Sequence, residues 1–138
     1  LITLDLVIIL ILFNCFSMNE VELYRAYTPA PLYADLGQGL IKVYFNEQSK
    51  EVTVPLMDED AEPQQATEYT AWHVDVTPDY SHIISSIVRS KYSQDDVEAI
   101  LCNHVEGRIE DEYDDLVAWR SMARNVASQV MKALGKVV

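Results

Sequence analysis

The chain of 138 residues accommodates one modest domain rather than a multidomain enzyme. It carries 22 Asp and Glu against 10 Lys and Arg, a formal charge of -12, while its 49% hydrophobic content is ordinary for a globular protein. This composition excludes a disordered acidic tail. Because an acidic chain repels phosphate backbones, it also argues against a nucleic acid as the principal ligand.

Residues 1–17, LITLDLVIILILFNCFS, form an apolar leader. Its uninterrupted apolar run covers residues 6–13 and is far shorter than the roughly 20 residues of a membrane-spanning helix. A secretory signal would begin with basic residues, whereas the early charge here is Asp5. We therefore interpret Met18 as the natural start, residues 1–17 as an upstream extension, and residues 18–138 as a single α+β domain.

Two other interpretations of the leader remain open. Asn14-Cys15 faintly resembles a lipoprotein cleavage box, although Asn14 stands where that box has a small residue, so the leader could be a defective signal or a lipid anchor. The less favoured interpretation is a buried strand or helix. The two cysteines, Cys15 and Cys102, are too few for a disulfide framework and leave the redox compartment open.

The first half of the domain shows the period-2 alternation of strands. Residues 21–27 predict a strand that ends at a proline pair, and Gly37 and Gly39 predict a turn. Residues 40–45 and 52–56, separated by polar residues 46–50, predict a hairpin, and residues 58–66 an acidic loop. Residues 67–76 then predict a strand with Trp72, Val74 and Val76 directed inward. Together these segments predict a small antiparallel meander of three to four strands.

The second half predicts three α-helices. Thr77 suits the N-cap of the first, with Pro78 at its first helical position. Ser93 and Asp96 have the spacing of a capping box at the start of the second. Its predicted apolar side includes a buried thiol, and Gly107 is its expected terminator. The members of that side are Val97, Ile100, Leu101, Cys102 and Val105.

The third predicted helix starts near Glu110 and is the longest element. Acidic residues gather at its beginning and basic residues at its end, which matches the helix dipole. A continuous apolar stripe predicts its buried face. The stripe consists of Tyr113, Leu116, Val117, Ala123, Ala127, Val130, Met131 and Leu134.

Motifs for chemistry are scarce. The sequence contains no P-loop, dinucleotide-binding, zinc-protease or nucleophile-elbow pattern. The carboxylates of residues 58–62 alternate as in a calcium loop, but Pro63 replaces its glycine. Cys102 and His104 are too few, and point to different helix faces, for a zinc site, and His73 and His82 are expected on the surface. We predict no cofactor, no metal and no catalytic residue.

The tyrosines of the extended half suggest binding. Several of them lie on the face opposite the aliphatic residues, where amphipathic rings suit contact with a protein or stacking on a carbohydrate. Ordinary packing within the sheet is the alternative. A nucleic-acid platform would combine such rings with basic residues. We take Tyr24, Tyr27, Tyr44 and Trp119 as the interface candidates.

The helical half resembles a known group of proteins. The stretch VRSKYSQDDVEAI at residues 88–100, followed by Glu112-Tyr113, Ala118-Trp119-Arg120 and Ala123-Arg124, is similar to the C-terminal module of small proteins encoded by phages and prophages of gut bacteria, near tail and tail-fibre genes. The stretches RAYTP at residues 25–29 and LGQGLI at residues 36–41 resemble their opening. Val97 departs from the pattern, which has an acidic residue there. The resemblance implies no catalytic residues.

The resemblance implies a phage or prophage structural or assembly-accessory protein, acting through contacts with a virion or tail protein and located in the virion or the host cytoplasm. The alternatives are a lipid-anchored or secreted protein of the cell envelope and, less favoured, a small hydrolytic enzyme that uses dispersed carboxylates. Membrane contact requires residues 1–17 to be retained. Self-association into a homo-oligomer is left open.

A chain that begins at Met18 is expected to unfold with the same stability as the full chain and to be far more soluble, because the leader exposes an apolar run that the core does not need. Chemical denaturation and sedimentation of both chains test this. Loss of a cooperative transition in the shorter chain would contradict it.

Overall fold

The computed structural model describes residues 23–54, 62–108 and 110–136. The predicted α+β class is confirmed: within this part of the chain, a four-stranded antiparallel sheet is followed by three helices. The strands are β1 (Leu23–Ala26), β2 (Tyr33–Gly37), β3 (Leu40–Val54) and β4 (Gln64–Val76), and the helices are α1 (Tyr80–Lys91), α2 (Gln94–Val105) and α3 (Glu110–Ala133). The leader at residues 1–17 lies outside the described part, as do residues 55–61, which include residues 58–61 of the predicted acidic loop.

The strands lie in the order β1-β4-β3-β2. Strands β2, β3 and β4 form the predicted meander, and β1 is added beside β4 at the far edge. The chain must therefore cross the sheet between β1 and β2. The predicted turn at Gly37 and Gly39 joins β2 to β3, and residues 37–39 all have positive φ, a conformation that glycine adopts without steric cost.

The predicted hairpin inside residues 40–56 is wrong. Strand β3 runs without a turn through residues 46–50, and residues 52–54 pair with β4 instead of folding back on residues 40–45. The polar residues form a bulge between Phe45 and Gln48, with Asn46 at a φ of 54°. Residues 64–66, predicted as loop, likewise belong to β4. The polarity of these residues suggested a turn, but pairing with a long partner strand satisfies their backbone hydrogen bonds in an extended conformation.

The core lies between one face of the sheet and helices α1 and α3. The register pairs Ile41 with Val76, Val43 with Val74 and Phe45 with Trp72, which places these side chains on one face. Trp72, Val74 and Val76 thus point inward as predicted. The helical side chains packed against them are Ile83, Ile87, Ala123, Ala127, Val130 and Met131.

Helix α1 begins two residues later than predicted. Asp79, not Thr77, is the N-cap, because its carboxylate accepts hydrogen bonds from the backbone N–H groups of Ser81 (3.1 Å) and His82 (3.3 Å). Thr77 instead hydrogen-bonds the ring of His82 at 2.6 Å. The hydroxyl of Ser81, with these N–H groups, holds the pKa of Asp79 below its ordinary value. The cap is therefore strongest above that ordinary pKa and weakens as the carboxylate is protonated.

Helix α2 has the predicted ends. Ser93 accepts from the N–H of Asp96 at 3.0 Å, and the Asp96 carboxylate accepts from the N–H of Ser93 at 3.1 Å, which completes the capping box. Gly107, with a φ of 71°, ends the helix. The N–H of Gly107 donates to the carbonyl of His104, and the N–H of Arg108 donates to the carbonyl of Asn103. These are the two hydrogen bonds of a Schellman motif.

The apolar side predicted for α2 is largely wrong. Ile100 is buried and Val97 half-buried, but Leu101, Cys102 and Val105 are exposed. The reason lies in the tertiary packing. Because α2 packs mainly against α3, only one row of its side chains is covered.

The stripe predicted for α3 is largely correct. Five of its members are buried and Tyr113 and Leu134 are half-buried, but Val117 remains 47% exposed. Leu116 begins the buried series and Met131 ends it. Helix α3 therefore lies along both α1 and the sheet, as its length requires.

Replacement of Ser93 by Ala is expected to lower the free energy of unfolding by about 0.5–2 kcal/mol, because the N–H of Asp96 loses its acceptor. Ser121→Ala, at an exposed position within α3, is the matched control and is expected to change stability by less than about 0.5 kcal/mol. Urea denaturation measures both. Equal midpoints for the two variants would show that the capping box does not stabilise α2.

Candidate protein-binding surface

Three aromatic side chains form a row across the sheet face opposite the helices. Tyr24 of β1 and Tyr44 of β3 meet edge to face with their ring centroids 5.5 Å apart, and Tyr44 meets His73 of β4 at 5.6 Å. Ala71, which pairs with Tyr24 in the register, is fully buried. The structure thus brings together two of the predicted interface residues, Tyr24 and Tyr44, and both are half-buried.

The segment at residues 27–32 crosses between the two edges of the sheet and is tied to this aromatic row. The hydroxyl of Tyr24 donates to the carbonyl of Thr28 at 2.9 Å. Further along, the N–H of Ala30 donates to the carboxylate of Glu47 at 2.8 Å, and Leu32 accepts from the N–H of Tyr44 at 3.3 Å. Tyr24 and Tyr44 therefore hold the crossing segment in place.

Tyr27, the first residue of the crossing segment, is the most accessible of the predicted interface residues. Its side chain is 58% exposed, and its hydroxyl forms no hydrogen bond within the described residues. An exposed tyrosine next to a fixed backbone presents a large apolar area at little cost in conformational entropy. Tyr27 is thus available to a partner in a way that Tyr24 and Tyr44 are not.

Trp119, the fourth predicted interface residue, lies elsewhere and packs inward. Its ring lies 5.4 Å from that of Trp72 and 6.1 Å from that of Phe45, and its Nε1–H donates to the carbonyl of Ile87 at 3.0 Å. The ammonium group of Lys91 lies over its outer side at 4.7 Å. These contacts connect α3 to α1 and the sheet, so the structure separates Trp119 from the tyrosines.

The sheet also carries a feature that sequence patterns did not indicate. Residues 50–54 of β3 pair with residues 64–68 of β4 in five register pairs that neither β1 nor β2 joins. We call this two-stranded part the ribbon arm. None of its residues is buried. At about 3.4 Å per residue, it extends roughly 17 Å beyond the four-stranded part of the sheet.

Polar contacts across the two strands hold the ribbon arm together. Gln65 donates to the hydroxyl of Thr53 at 3.0 Å, and Thr67 donates to the carboxylate of Glu51 at 2.8 Å. At the base of the arm, the 15% exposed side chain of Glu68 forms long ion pairs with Lys50, at 3.7 Å, and Arg25, at 4.0 Å.

The outer edges of the ribbon arm are unpaired within the described residues, and a two-stranded ribbon without a packed face is only marginally stable in water. Unpaired edges of this kind are templates for pairing with another chain.

The residues considered for metal or covalent chemistry do not converge. Among the described residues, no group of three or more His, Cys, Asp or Glu side chains is placed to hold a metal ion. The ring of His104 stacks on Tyr113 at 3.5 Å, whereas the thiol of Cys102 is exposed. His82 is exposed as expected. The calcium-like carboxylates at residues 58–61 lie outside the described part.

In the described part of the chain, none of the helices combines the length and the apolarity needed to cross a bilayer. Comparisons with protein-family models, with curated proteins and with solved structures gave no match for this chain.

Replacement of Tyr24 by Phe is expected to lower the free energy of unfolding by about 0.5–1.5 kcal/mol, because the carbonyl of Thr28 loses its hydrogen-bond donor while the ring contact with Tyr44 remains. Tyr27→Phe is the matched control and should leave stability within about 0.5 kcal/mol of the parent. Urea denaturation of the two variants measures the difference. A Tyr24 variant as stable as the control would show that the hydroxyl does not fix the crossing segment.

Proposed function

We propose that this protein is a phage or prophage structural or assembly-accessory protein that acts by binding another protein through its sheet. The observation that carries the binding role is the ribbon arm, which projects from the sheet and whose edges pair with no other described strand. The arm presents backbone donors and acceptors that a strand of a partner can satisfy. The assignment to phages draws on the sequence resemblance alone.

Exposed Tyr27 adds a side-chain anchor to this backbone surface. Aromatic residues are enriched among those that dominate binding energy, and 58% of the Tyr27 side chain is available to a partner. Tyr24 and Tyr44 contribute indirectly, since they fix the backbone that presents Tyr27.

The charge of the chain restricts the partner. A protein with a net charge of -12 associates fastest with a neutral or basic surface. The contribution of charge decreases with salt, because the screening length falls from about 10 Å at 0.1 M to about 3 Å at 1 M. We therefore expect association with the partner to slow as salt rises.

A pull-down with the full chain from phage-producing cells, followed by titration of the recovered protein, tests the proposal. We expect recovery of a virion or tail protein. A variant in which Asn-Gly replaces residues 52–66 closes the hairpin at the pair Glu51 and Thr67, and it should bind at least about tenfold more weakly. Tyr27→Ala should cost more than about 1 kcal/mol of binding.

Cys102→Ser, at an exposed site on α2, is the control and should bind as the parent does. Circular dichroism checks that each variant is folded. Undiminished binding by the shortened arm would show that the arm is not the interface. Recovery of no virion or tail protein, together with a turnover activity lost on replacing one carboxylate, would favour the enzyme instead.

A further inference from the structure

An apolar groove lies among the three helices, away from the sheet face described above. Its volume is about 450 Å³, within the range of ligand-binding sites. Each helix contributes an apolar wall: Val88 from α1, Val97 and Leu101 from α2, and Leu116 and Val117 from α3. We call it the helical groove.

The apolar surface continues beyond the helical groove along α2. Val97, Leu101 and Val105 are spaced four residues apart, so they form a ridge about 12 Å long on one side of the helix. Exposure rises along this ridge from half-buried Val97 to 44% for Leu101 and 84% for Val105. On the opposite wall Val117 is 47% exposed. A compact ligand that fills the groove would leave Val105 in water, whereas a longer apolar element would cover it.

The charges in the helical groove are opposite to those of the whole chain. Among the described residues that line it, the charged ones are Arg89 and Arg120, and none is a carboxylate. Arg89 donates to the amide oxygen of Gln94, and within the described residues neither arginine forms an ion pair with a carboxylate. Two guanidinium groups beside apolar walls favour a carboxylate of an occupant, because such charge-assisted hydrogen bonds are among the strongest.

We propose that the helical groove and the α2 ridge bind an amphipathic helix of a partner protein, and that this helix carries a carboxylate on its apolar face. Apolar side chains one turn apart on that helix pack against Val97, Leu101 and Val105, while its carboxylate meets Arg89 and Arg120. The flanks of the partner helix are neutral or basic, since exposed Glu98 and Asp114 directly follow the lining residues Val97 and Tyr113 in the chain. This surface is independent of the ribbon arm.

Selection from a displayed library of helical peptides of about 16 residues, long enough to span roughly 24 Å, tests the proposal on the full chain. We expect enriched peptides to carry apolar residues one turn apart and an Asp or Glu on the same face. Fluorescence anisotropy of an enriched peptide should show binding weakened at least about tenfold by Leu101→Ser and by Arg120→Gln. Val105→Ser, at a site too exposed to affect folding, should weaken it at least about threefold.

The chain offers matched controls. Leu36 on β2 has the same 44% exposure as Leu101, and Arg25 on β1 is an exposed arginine that does not line the groove. Leu36→Ser and Arg25→Gln should therefore bind the peptide within about twofold of the parent. Enrichment of no peptide, or of peptides that bind the groove variants as well as the parent, would overturn the proposal. So would preferential occupation of the groove by dodecanoate with no peptide enriched, because that outcome identifies a small amphiphile site.

Discussion

Helices α1 and α3 pack against one half of the β3–β4 pair, and this packing determines where the other elements lie. The first residues of β3 pair with the last residues of β4, and this register directs Ile41, Val43 and Val76 to the face that the helices cover. Full burial of such a side chain contributes about 1.5–3 kcal/mol relative to exposure. A slip of one residue in the register would turn all of them to the opposite face, so the core and the register fix each other.

The two faces of the sheet consequently have different environments and different roles. The covered face holds the apolar core, and Trp119 closes its end by packing on Trp72 and bonding to α1. The open face holds the aromatic row, in which Tyr24 and Tyr44 fix the crossing segment. The arm extends past both: the core that the helices cover includes residues 41–45 of β3 and 72–76 of β4, and no residue of the arm belongs to it. Backbone pairing without burial leaves the arm available for contact with another chain.

In helix α2, local interactions fix the two ends, whereas a tertiary contact attaches the helix to the rest of the domain. Its ends are fixed by its own residues, through the capping box of Ser93 and the Schellman motif at Gly107. Its attachment depends on a narrow contact with α3, in which Ile100 is buried while Leu101 remains 44% exposed. Because α3 covers only one row of side chains on α2, apolar surface of α2 remains next to the two arginines of the groove. The two proposed binding surfaces therefore arise from the same cause, which is that α1 and α3 cover only part of the sheet and only part of α2.

Local sequence patterns were enough to predict the class of the fold, the capping box at Ser93 and the end of α2 at Gly107. They also predicted the inward direction of Trp72, Val74 and Val76. These features depend on short-range chemistry: period-2 alternation, side-chain caps and a positive φ that glycine tolerates. Tertiary packing sets the other features: the order of the strands, the continuous β3, the arm and the exposed side of α2. Whether polar residues 46–50 turn or extend depends on a partner strand about twenty residues away. Whether Leu101 and Cys102 are buried depends on how much of α2 another helix covers, and whether Trp119 faces solvent or the core depends on where α3 meets the sheet. No local pattern encodes this pairing or this burial, because both are set by the packing of elements that are remote in sequence.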